Sequence, residues 1–332
     1  MPRVIVTGGA GYLGGHIVRT LSAASCDVVV VDDLRNGDPR HVGPADLVPM
    51  NVASRRGIRG VFRDWGPFDV LVHLAGTVGS EDARRHPLSH FSSNVAATIG
   101  LIEEASAGGV QNFIAVSTAA VYGDAGPGPI HESTWGTPTT AYGESHAMFE
   151  TVLKRFAHER GPRATILRVF NAAGAAPDGM VGERHFPESH LIPKALQTAS
   201  GLRPRLEILG DQFATPDGRA IRDYVHPIDV AAAVLLSAEQ LLDGSPGGIF
   251  NIGSGVGHSV NEVCAMVNSV TGSTLPTVVT KPRQGAVGSL VADIERAGNV
   301  LGWSPGYSDL QTIVSTAWAW HASRIGAQDK TV

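Results

Sequence analysis

The sequence predicts an α/β protein with a doubly wound parallel sheet and a smaller mixed α/β lobe in its second half. Short apolar runs rich in β-branched residues alternate with helix-length segments throughout the first half. Such continuous apolar runs are typical of parallel strands that helices cover on both faces. After about residue 170 the alternation ends, and loops rich in Gly, Pro, His and Asp replace it.

Each element of this prediction rests on one such segment. The predicted strands of the main sheet are residues 4–6, 28–31, 70–72, 113–116 and 165–167, joined by a late strand at 249–251. The predicted helices are residues 14–24, 87–108, 142–160, 191–200, 227–241 and 260–270. We therefore expect a first domain over residues 1–170, completed by late strands from about 225–255, and an interleaved second lobe over 171–332. Residues 323–332 are expected to be frayed.

A glycine-rich turn follows the first predicted strand and opens a helix. It reads Thr7-Gly8-Gly9-Ala10-Gly11-Tyr12-Leu13-Gly14, so that glycines recur at every third position from Gly8. Glycine permits a tight turn and close approach to a pyrophosphate, and the free N–H groups of the first helical turn then face the anion. A strand, glycines and a helix in this order predict a Rossmann dinucleotide-binding site.

Two acidic residues, Asp32 and Asp33, end the second predicted strand. An acid at this position accepts hydrogen bonds from the adenosine ribose and repels a 2′-phosphate, so NAD is favoured over NADP. Nearby Arg35 argues in the other direction. The alternative interpretation of Asp32 is an ordinary exposed acid in a turn.

Composition and charge exclude several classes of protein. The 332 residues are 43% hydrophobic and 17% charged, which is typical of a globular protein, and the net charge of -5 argues against a nucleic-acid partner. The cysteines, Cys26 and Cys264, form no C-x-x-C motif and no metal-ligand cluster, so we expect reduced thiols and no metal. No apolar run approaches the ~18 residues of a membrane span, and no signal peptide is visible, so we expect a cytoplasmic location and no membrane partner.

Further segments make the chain resemble the extended short-chain dehydrogenases and, among them, the UDP-glucose 4-epimerase family. The most specific segment is residues 215–226, Thr-Pro-Asp-Gly-Arg-Ala-Ile-Arg-Asp-Tyr-Val-His. The other matching segments are residues 33–37, 117–123, 170–174 and 190–193. The resemblance extends over nearly the whole chain.

The resemblance implies that NAD is the cofactor, and it places further residues beside the glycines. The expected cofactor positions are Gly8, Gly11, Tyr12, Leu13, Gly14, Asp32, Asp33, Asn36, Asn51, Val52, Leu74, Ala75, Gly76, Val78, Asn94, Tyr142, His146 and Phe170. Two of these depart from the family pattern. Relatives usually carry Asp in place of Asn51, and they often carry Lys in place of Val78.

The resemblance also implies a nucleotide-diphosphate sugar, such as a UDP-sugar, as substrate. The expected substrate positions are Thr118, Asn171, His190, Leu191, Glu207, Leu209, Arg222, Arg283 and Leu290. The rigid donor fork of arginine suits phosphate oxygens, although an isolated arginine is often only a surface ion-pair residue. Ala286 replaces an acid of the family, and Leu290 lies near the position that sets room for the sugar's C2 substituent. Because Leu290 is of intermediate size, both a hexose and an N-acetylhexosamine remain possible as the sugar.

The same resemblance implies the chemistry. In the family, a Tyr takes the proton of the sugar's C4 hydroxyl while C4 passes a hydride to NAD, and the 4-keto sugar then takes the hydride back on its other face. Tyr142 would be this base and Thr118 its hydrogen-bonding helper. The family's lysine, four residues further along the same helix face, is His146 here. A tyrosine has an ordinary pKa of about 10, and a histidine with a pKa of about 6.5 is mostly neutral at pH 7.

Three functions remain open at this point. The chain could be an epimerase with a slowed or pH-shifted base, a dehydratase or oxidoreductase acting on a nucleotide sugar, or a non-catalytic NAD or nucleotide-sugar binding protein. Ala119 and Ala120 stand where dehydratases carry acids, which argues against dehydration. Retention of Tyr142 and both arginines argues against a non-catalytic protein. The resemblance further implies a homodimer that pairs through the helices at 87–108 and 142–160.

Overall fold

The structure, a computed structural model, describes residues 1–185, 187–283 and 285–328, without side chains at 80–81 and 326–328. The strands are β1 (Arg3–Thr7), β2 (Asp27–Asp32), β3 (Asp46–Pro49), β4 (Val70–His73), β5 (Asn112–Thr118), β6 (Pro129–Ile130), β7 (Arg163–Val169), β8 (Asn171–Ala172), β9 (Leu206–Leu209), β10 (Ile221–Val225), β11 (Gly247–Ile252), β12 (Gly257–Ser259), β13 (Thr277–Thr280) and β14 (Ser289–Ala292). The helices are α1 (Tyr12–Ala23), α2 (Arg55–Trp65), α3 (Ser80–Arg85), α4 (Pro87–Phe91), α5 (Ala97–Ala107), α6 (Ala141–Arg160), α7 (Leu191–Ala199), α8 (Pro227–Leu242), α9 (Val260–Thr271) and α10 (Leu310–Gln328).

The central sheet is parallel and doubly wound, as the sequence predicts. Its seven strands run in the order β11-β7-β5-β4-β1-β2-β3. Val4 of β1 pairs with Val28 of β2 on one side and with Val70 of β4 on the other. The chain therefore moves outward in one direction from β1 to β3 and in the other direction from β4 onward. This reversal leaves a crevice at the carboxyl ends of β1 and β4, where doubly wound proteins bind ligands.

Helices cover both faces of the sheet, which explains the continuous apolar runs. Along β1, Val4 and Val6 face the core under α1 and α8, whereas Ile5 faces the core under α2, α5 and α6. All three side chains are fully buried. A strand that buries both of its faces needs apolar residues at successive positions rather than at alternate ones.

The second half forms smaller sheets that lie near the carboxyl edge of the main one. One sheet has the order β12-β10-β14-β6, with β8 paired to β10, and the other pairs β13 with β9. Apolar side chains of α7, α9 and α10, including Ile192, Val263 and Ile313, form a separate core. The late strand β11 joins the main sheet beside β7.

Some sequence predictions need correction. A π-helical turn over Ser92–Ala96 interrupts the helix predicted at 87–108. The prediction of a frayed tail is wrong for residues 323–328, because α10 continues to Gln328. The remainder of the predicted tail, residues 329–332, lies outside the described residues. Trp320 helps to hold α10: its indole N–H donates to the carbonyl of Glu183 at 3.1 Å. Within the described chain, every helix is too short or too polar to cross a membrane.

Candidate active site

One cavity of about 710 Å³ opens at the carboxyl ends of the central strands. All the residues that the sequence analysis assigned to cofactor or substrate line this cavity. They come from the carboxyl ends of the central strands and the segments that follow them, from α6, and from the second lobe. The topology thus brings together residues that are more than 200 positions apart in the chain, such as Gly8 and Arg283.

The glycine turn forms one end of the cavity. Gly8 has a φ of 75°, and a Cβ there would lie 2.8 Å from the backbone nitrogen of Ala75. A Cβ on Gly14 would lie 2.0 Å from the carbonyl oxygen of Gly8. Both positions therefore require glycine, because any side chain would push the turn apart. Gly11 caps α1 without a side chain, which leaves the helix N-terminus open to an anion.

The carboxylate of Asp32 braces this turn. It is only 8% exposed, and it accepts hydrogen bonds from the N–H groups of Leu34 at 2.8 Å and Ala10 at 3.0 Å. Burial raises the pKa of Asp32, while the two backbone hydrogen bonds act to lower it. The interpretation of Asp32 as an ordinary exposed acid is therefore wrong.

Asp33 forms an ion pair with Arg35, the residue whose charge would favour NADP. A guanidinium nitrogen of Arg35 lies 2.7 Å from a carboxylate oxygen of Asp33, and the amide of Asn51 donates to the same carboxylate at 3.0 Å. Arg35 is therefore engaged with an acid on its own loop. This arrangement fits the ribose diol of NAD better than a 2′-phosphate.

Thr118 and Tyr142 meet where β5 ends and α6 begins. Tyr142 lies in the first turn of α6, which Thr140 caps by accepting the N–H of Gly143 at 3.2 Å. Both side chains line the cavity. Burial raises the pKa of Tyr142, and the nearby hydroxyl group of Thr118 acts in the opposite direction.

His146 lies one turn further along α6, between two aromatic rings. Its ring centroid is 4.7 Å from that of Tyr142 and 5.0 Å from that of Phe149. Its Nδ1 atom is buried and has no hydrogen-bond partner in the described structure. Burial lowers the pKa of His146 to about 3, with smaller contributions in the same direction from the nearby His73 and His90. The residue in the lysine position is therefore neutral at physiological pH.

Two of the surrounding histidines were missed by the sequence analysis. His73 ends β4 and bonds through both ring nitrogens, to Thr7 at 2.7 Å and to Thr98 at 2.8 Å. His90 is fully buried and turns its ring edge-on toward Tyr142, with the centroids 6.0 Å apart. A polar residue at the carboxyl end of an apolar strand was a signal for His73, whereas nothing in the sequence distinguished His90.

The opposite end of the cavity carries positive charge. Arg222 lies on β10 beside Leu290 of β14, and its guanidinium donates to the carbonyl of Val287 at 2.8 Å. Lys194, in the first half of α7, also lines the cavity but was missed by the sequence analysis. Burial lowers its pKa, and the charge of Arg283 lowers it further. Three cations lining one cavity favour an anionic ligand such as a diphosphate.

His190 has a different environment from the one expected. The resemblance placed it near the substrate's base, and it does line the cavity, but its Nδ1 atom lies 2.5 Å from Oε1 of Glu183. Burial alone would lower the pKa of His190, but the Glu183 carboxylate outweighs burial and raises that pKa.

Comparison with known proteins agrees with this geometry. The sequence profile of the NAD dependent epimerase/dehydratase family matches residues 4–253. A UDP-glucose 4-epimerase from Streptococcus mutans is 41% identical over 322 residues, which are 96% of this chain and 97% of that enzyme.

Solved structures are similar over the same length. The UDP-glucose-4-epimerase from Stenotrophomonas maltophila, with bound NAD and formylated UDP-arabinopyranose, has a TM-score of 0.94 and 31% identity and covers 98% of this chain and 100% of its own. The Brucella ovis UDP-glucose 4-epimerase in complex with NAD has a TM-score of 0.92 and 34% identity, with coverages of 96% and 98%.

Proposed function

The chain belongs to the NAD dependent epimerase/dehydratase family and, within it, to the UDP-glucose 4-epimerases, and we propose that it inverts C4 of a UDP-hexose of the UDP-glucose and UDP-galactose type. The observation that carries this proposal is the single cavity that unites the glycine turn, the Thr118–Tyr142 pair and the cationic end. Dehydration is disfavoured, because the turn after Thr118 presents Ala119 and Ala120 rather than acids.

The chain has the features needed to hold NAD. The glycine turn forms a cradle that a Cβ at Gly8 or Gly14 would fill, and Asp32 is fixed beside it. At the other end of the cofactor path, the unpartnered Nδ1 of His146 is free to bond to a ribose hydroxyl. When bound, NAD supplies the acceptor and donor of the hydride at C4 of the sugar.

Tyr142 moves the proton in this proposal. Its phenolate, beside the hydroxyl group of Thr118, takes the proton of the sugar's C4 hydroxyl and becomes the phenol, which later returns that proton. A phenolate is needed for the first step, and burial disfavours it by raising the pKa of Tyr142. Neutral His146 does not supply the positive charge that would offset burial. We therefore propose a working but weakened base, whose activity increases with pH.

The substrate's diphosphate is assigned to the cationic end. Lys194, Arg222 and Arg283 line that end, and charge-assisted hydrogen bonds to phosphate oxygens are among the stronger polar contacts in proteins. We assign Asn171, His190, Leu191, Glu207, Leu209 and Leu290 to the sugar and the base, because they line the same half of the cavity.

We further propose two lobes, a dimer and a cytoplasmic location. Residues 1–170 and about 225–255 would form the NAD-binding lobe, since β11 joins the main sheet and α8 packs with α1 over one of its faces. Leu88, Ile99 and Met148 expose apolar side chains on α4, α5 and α6, which supports pairing of two copies through these helices. Cys26 and Cys264 are unbonded, which fits a reducing compartment.

The direct test is to incubate purified protein with UDP-galactose and follow the anomeric proton signals by NMR without added reductant. The proposal expects conversion to UDP-glucose until the two sugars reach equilibrium. Accumulation of only a 4-keto or unsaturated sugar would overturn it. A Tyr142→Phe variant should retain bound NAD but lose on the order of 10² to 10⁴ in kcat, the usual contribution of a general base.

A further inference from the structure

Four titratable side chains converge in the segment leading into α7, and of these only His190 is also assigned to substrate binding. They are Glu183, His185, Glu188 and His190, and one ligand atom from each lies within 4.8 Å of all the others. The Nδ1 atoms of both histidines approach the same oxygen, Oε1 of Glu183, at 2.9 Å and 2.5 Å. The Nδ1 atom of His190 is also 3.4 Å from Oε1 of Glu188.

We propose that Glu183, His185, Glu188 and His190 bind one divalent transition-metal ion of the zinc class. Two imidazoles and two carboxylates supply the nitrogen and oxygen ligands that Zn²⁺ takes in proteins. The prediction of no metal rested on the cysteines alone. The signal it missed is two His and two Glu within residues 183–190.

Burial distinguishes this cluster from an ordinary acidic surface. The side chains of Glu183 and Glu188 are only 7% and 5% exposed. Two carboxylates removed from water need nearby positive charge. A protonated imidazole supplies part of it, whereas a divalent cation bound by neutral imidazoles would supply it at a single point. The four side chains therefore provide the charge as well as the donor atoms of a cation site.

The spacing of the ligand atoms is close to that of a metal site. In a tetrahedron with metal–ligand distances of 2.0–2.2 Å, neighbouring ligand atoms lie about 3.3–3.6 Å apart. Here the separations between the histidine nitrogens and the carboxylate oxygens are 2.5, 2.9 and 3.4 Å, which are hydrogen-bond distances. Replacing the shared protons with an ion requires the shortest pair to separate by roughly 1 Å, which is within reach of side-chain rotation.

Backbone groups already orient the cluster. The N–H groups of Ser189 and His190 donate to Oε1 of Glu188 at 2.7 and 2.8 Å. The backbone carbonyl of Glu183 accepts the indole N–H of Trp320 in α10 at 3.1 Å. Such supporting hydrogen bonds fix ligands in protein metal sites. An ion here would join the residues before α7 to α10, and because Glu183 and His190 also line the cavity, its role would be to hold the substrate-binding edge in place.

The test is a metal titration that does not depend on catalysis. Full-length protein, stripped with a chelator, is titrated with Co²⁺ while its visible absorption is recorded, and Zn²⁺ is then added as competitor. We expect one Co²⁺ per chain with the spectrum of four-coordinate nitrogen and oxygen ligation, and displacement by one Zn²⁺. Zinc should also raise the Tm of the stripped protein.

The variants are His185→Ala and the more conservative Glu188→Gln, which preserves side-chain shape if the first disturbs folding. Each should weaken Co²⁺ binding by at least about a hundredfold and abolish the Tm increase. The matched control is His131→Ala, because His131 forms an isolated pair with Asp293 at 3.1 Å. The control should bind like the parent protein. Absence of stoichiometric binding to the parent, or undiminished binding to both variants, would overturn the proposal. Neither result bears on the epimerase assay, since no substrate is present.

Discussion

The imidazole of His146 packs against the phenol of Tyr142, with their ring centroids 4.7 Å apart and their planes at 68°. Both residues lie on the cavity side of α6, one helical turn apart. At the position where the resemblance places a lysine, the chain thus carries an imidazole whose pKa burial lowers to about 3. Lys154, further along α6, is exposed and does not line the cavity. We therefore expect the activity of Tyr142, the proposed base, to depend on solution pH.

Cofactor choice is predicted to depend on Asp33. An Asp33→Ser variant releases Arg35 from its ion pair, so that its guanidinium can meet a 2′-phosphate. We expect the ratio of NADP to NAD affinity, measured by calorimetry, to rise about tenfold or more. Asp27→Ser, which removes a similar pair with Arg3, is the control and should leave the ratio unchanged. An unaltered ratio in Asp33→Ser would show that Arg35 does not face the adenosine ribose.

Substrate affinity is predicted to depend on Lys194. Loss of a charge-assisted hydrogen bond costs about 1.5–3 kcal/mol, so Lys194→Met should raise the KM for UDP-galactose roughly ten- to a hundredfold with little change in kcat. Lys154→Met, which removes an exposed lysine, should behave like the parent enzyme. An unchanged KM for Lys194→Met would place the diphosphate elsewhere.

Stability is predicted to depend on pH through His16. This residue of α1 is 3% exposed, and neither of its ring nitrogens has a hydrogen-bond partner in the described structure. Burial lowers its pKa to about 3, with a smaller contribution from His226. Between this value and the unfolded value of about 6.5, the unfolded chain binds the extra proton. The stabilising contribution is therefore complete above about pH 7 and is lost as pH falls through 6.5 toward 3.

On going from pH 7 to pH 5, His16 alone should lower the free energy of unfolding by about 2 kcal/mol. His16→Leu should remove this part of the pH dependence, and at pH 7 it should stabilise the fold by about 1 kcal/mol, because two unsatisfied buried atoms disappear. Denaturant unfolding at several pH values measures both effects. The exposed His158→Leu is the control, and a slope for His16→Leu equal to that of the parent would contradict the prediction.

Local patterns predicted most of the main sheet and the helices α7, α8 and α9, but they missed α2 and the short strands of the second half. Strands β1, β2, β4, β5 and β7 bury both faces and therefore appear as apolar runs. By contrast, α2 carries several arginines and only a narrow apolar face formed by residues such as Ile58 and Phe62, so its sequence does not stand out. Strand β10 has polar and charged residues at Arg222 and Asp223, where the cavity and hydrogen bonds replace apolar packing.

The candidate site was predicted largely through family resemblance, and the structure brings all its residues to one cavity. The sequence could not reveal side chains whose importance depends on residues that are distant along the chain. Lys194 matters because it lies near Arg283, and His90 matters because its ring meets Tyr142. Asp32 was assigned to the ribose, yet its hydrogen bonds to Ala10 and Leu34 are visible only in the folded chain.

The pH profile of kcat for His146→Lys tests most directly whether the missing positive charge weakens Tyr142. If the missing positive charge limits formation of the Tyr142 phenolate, the variant's acid limb should move to lower pH, and kcat at pH 7 should rise about tenfold for each unit by which the pKa of Tyr142 falls. His158→Lys, an exposed change on the same helix, should retain the parent profile. An unchanged profile in His146→Lys, with NAD still bound, would show that another group activates Tyr142.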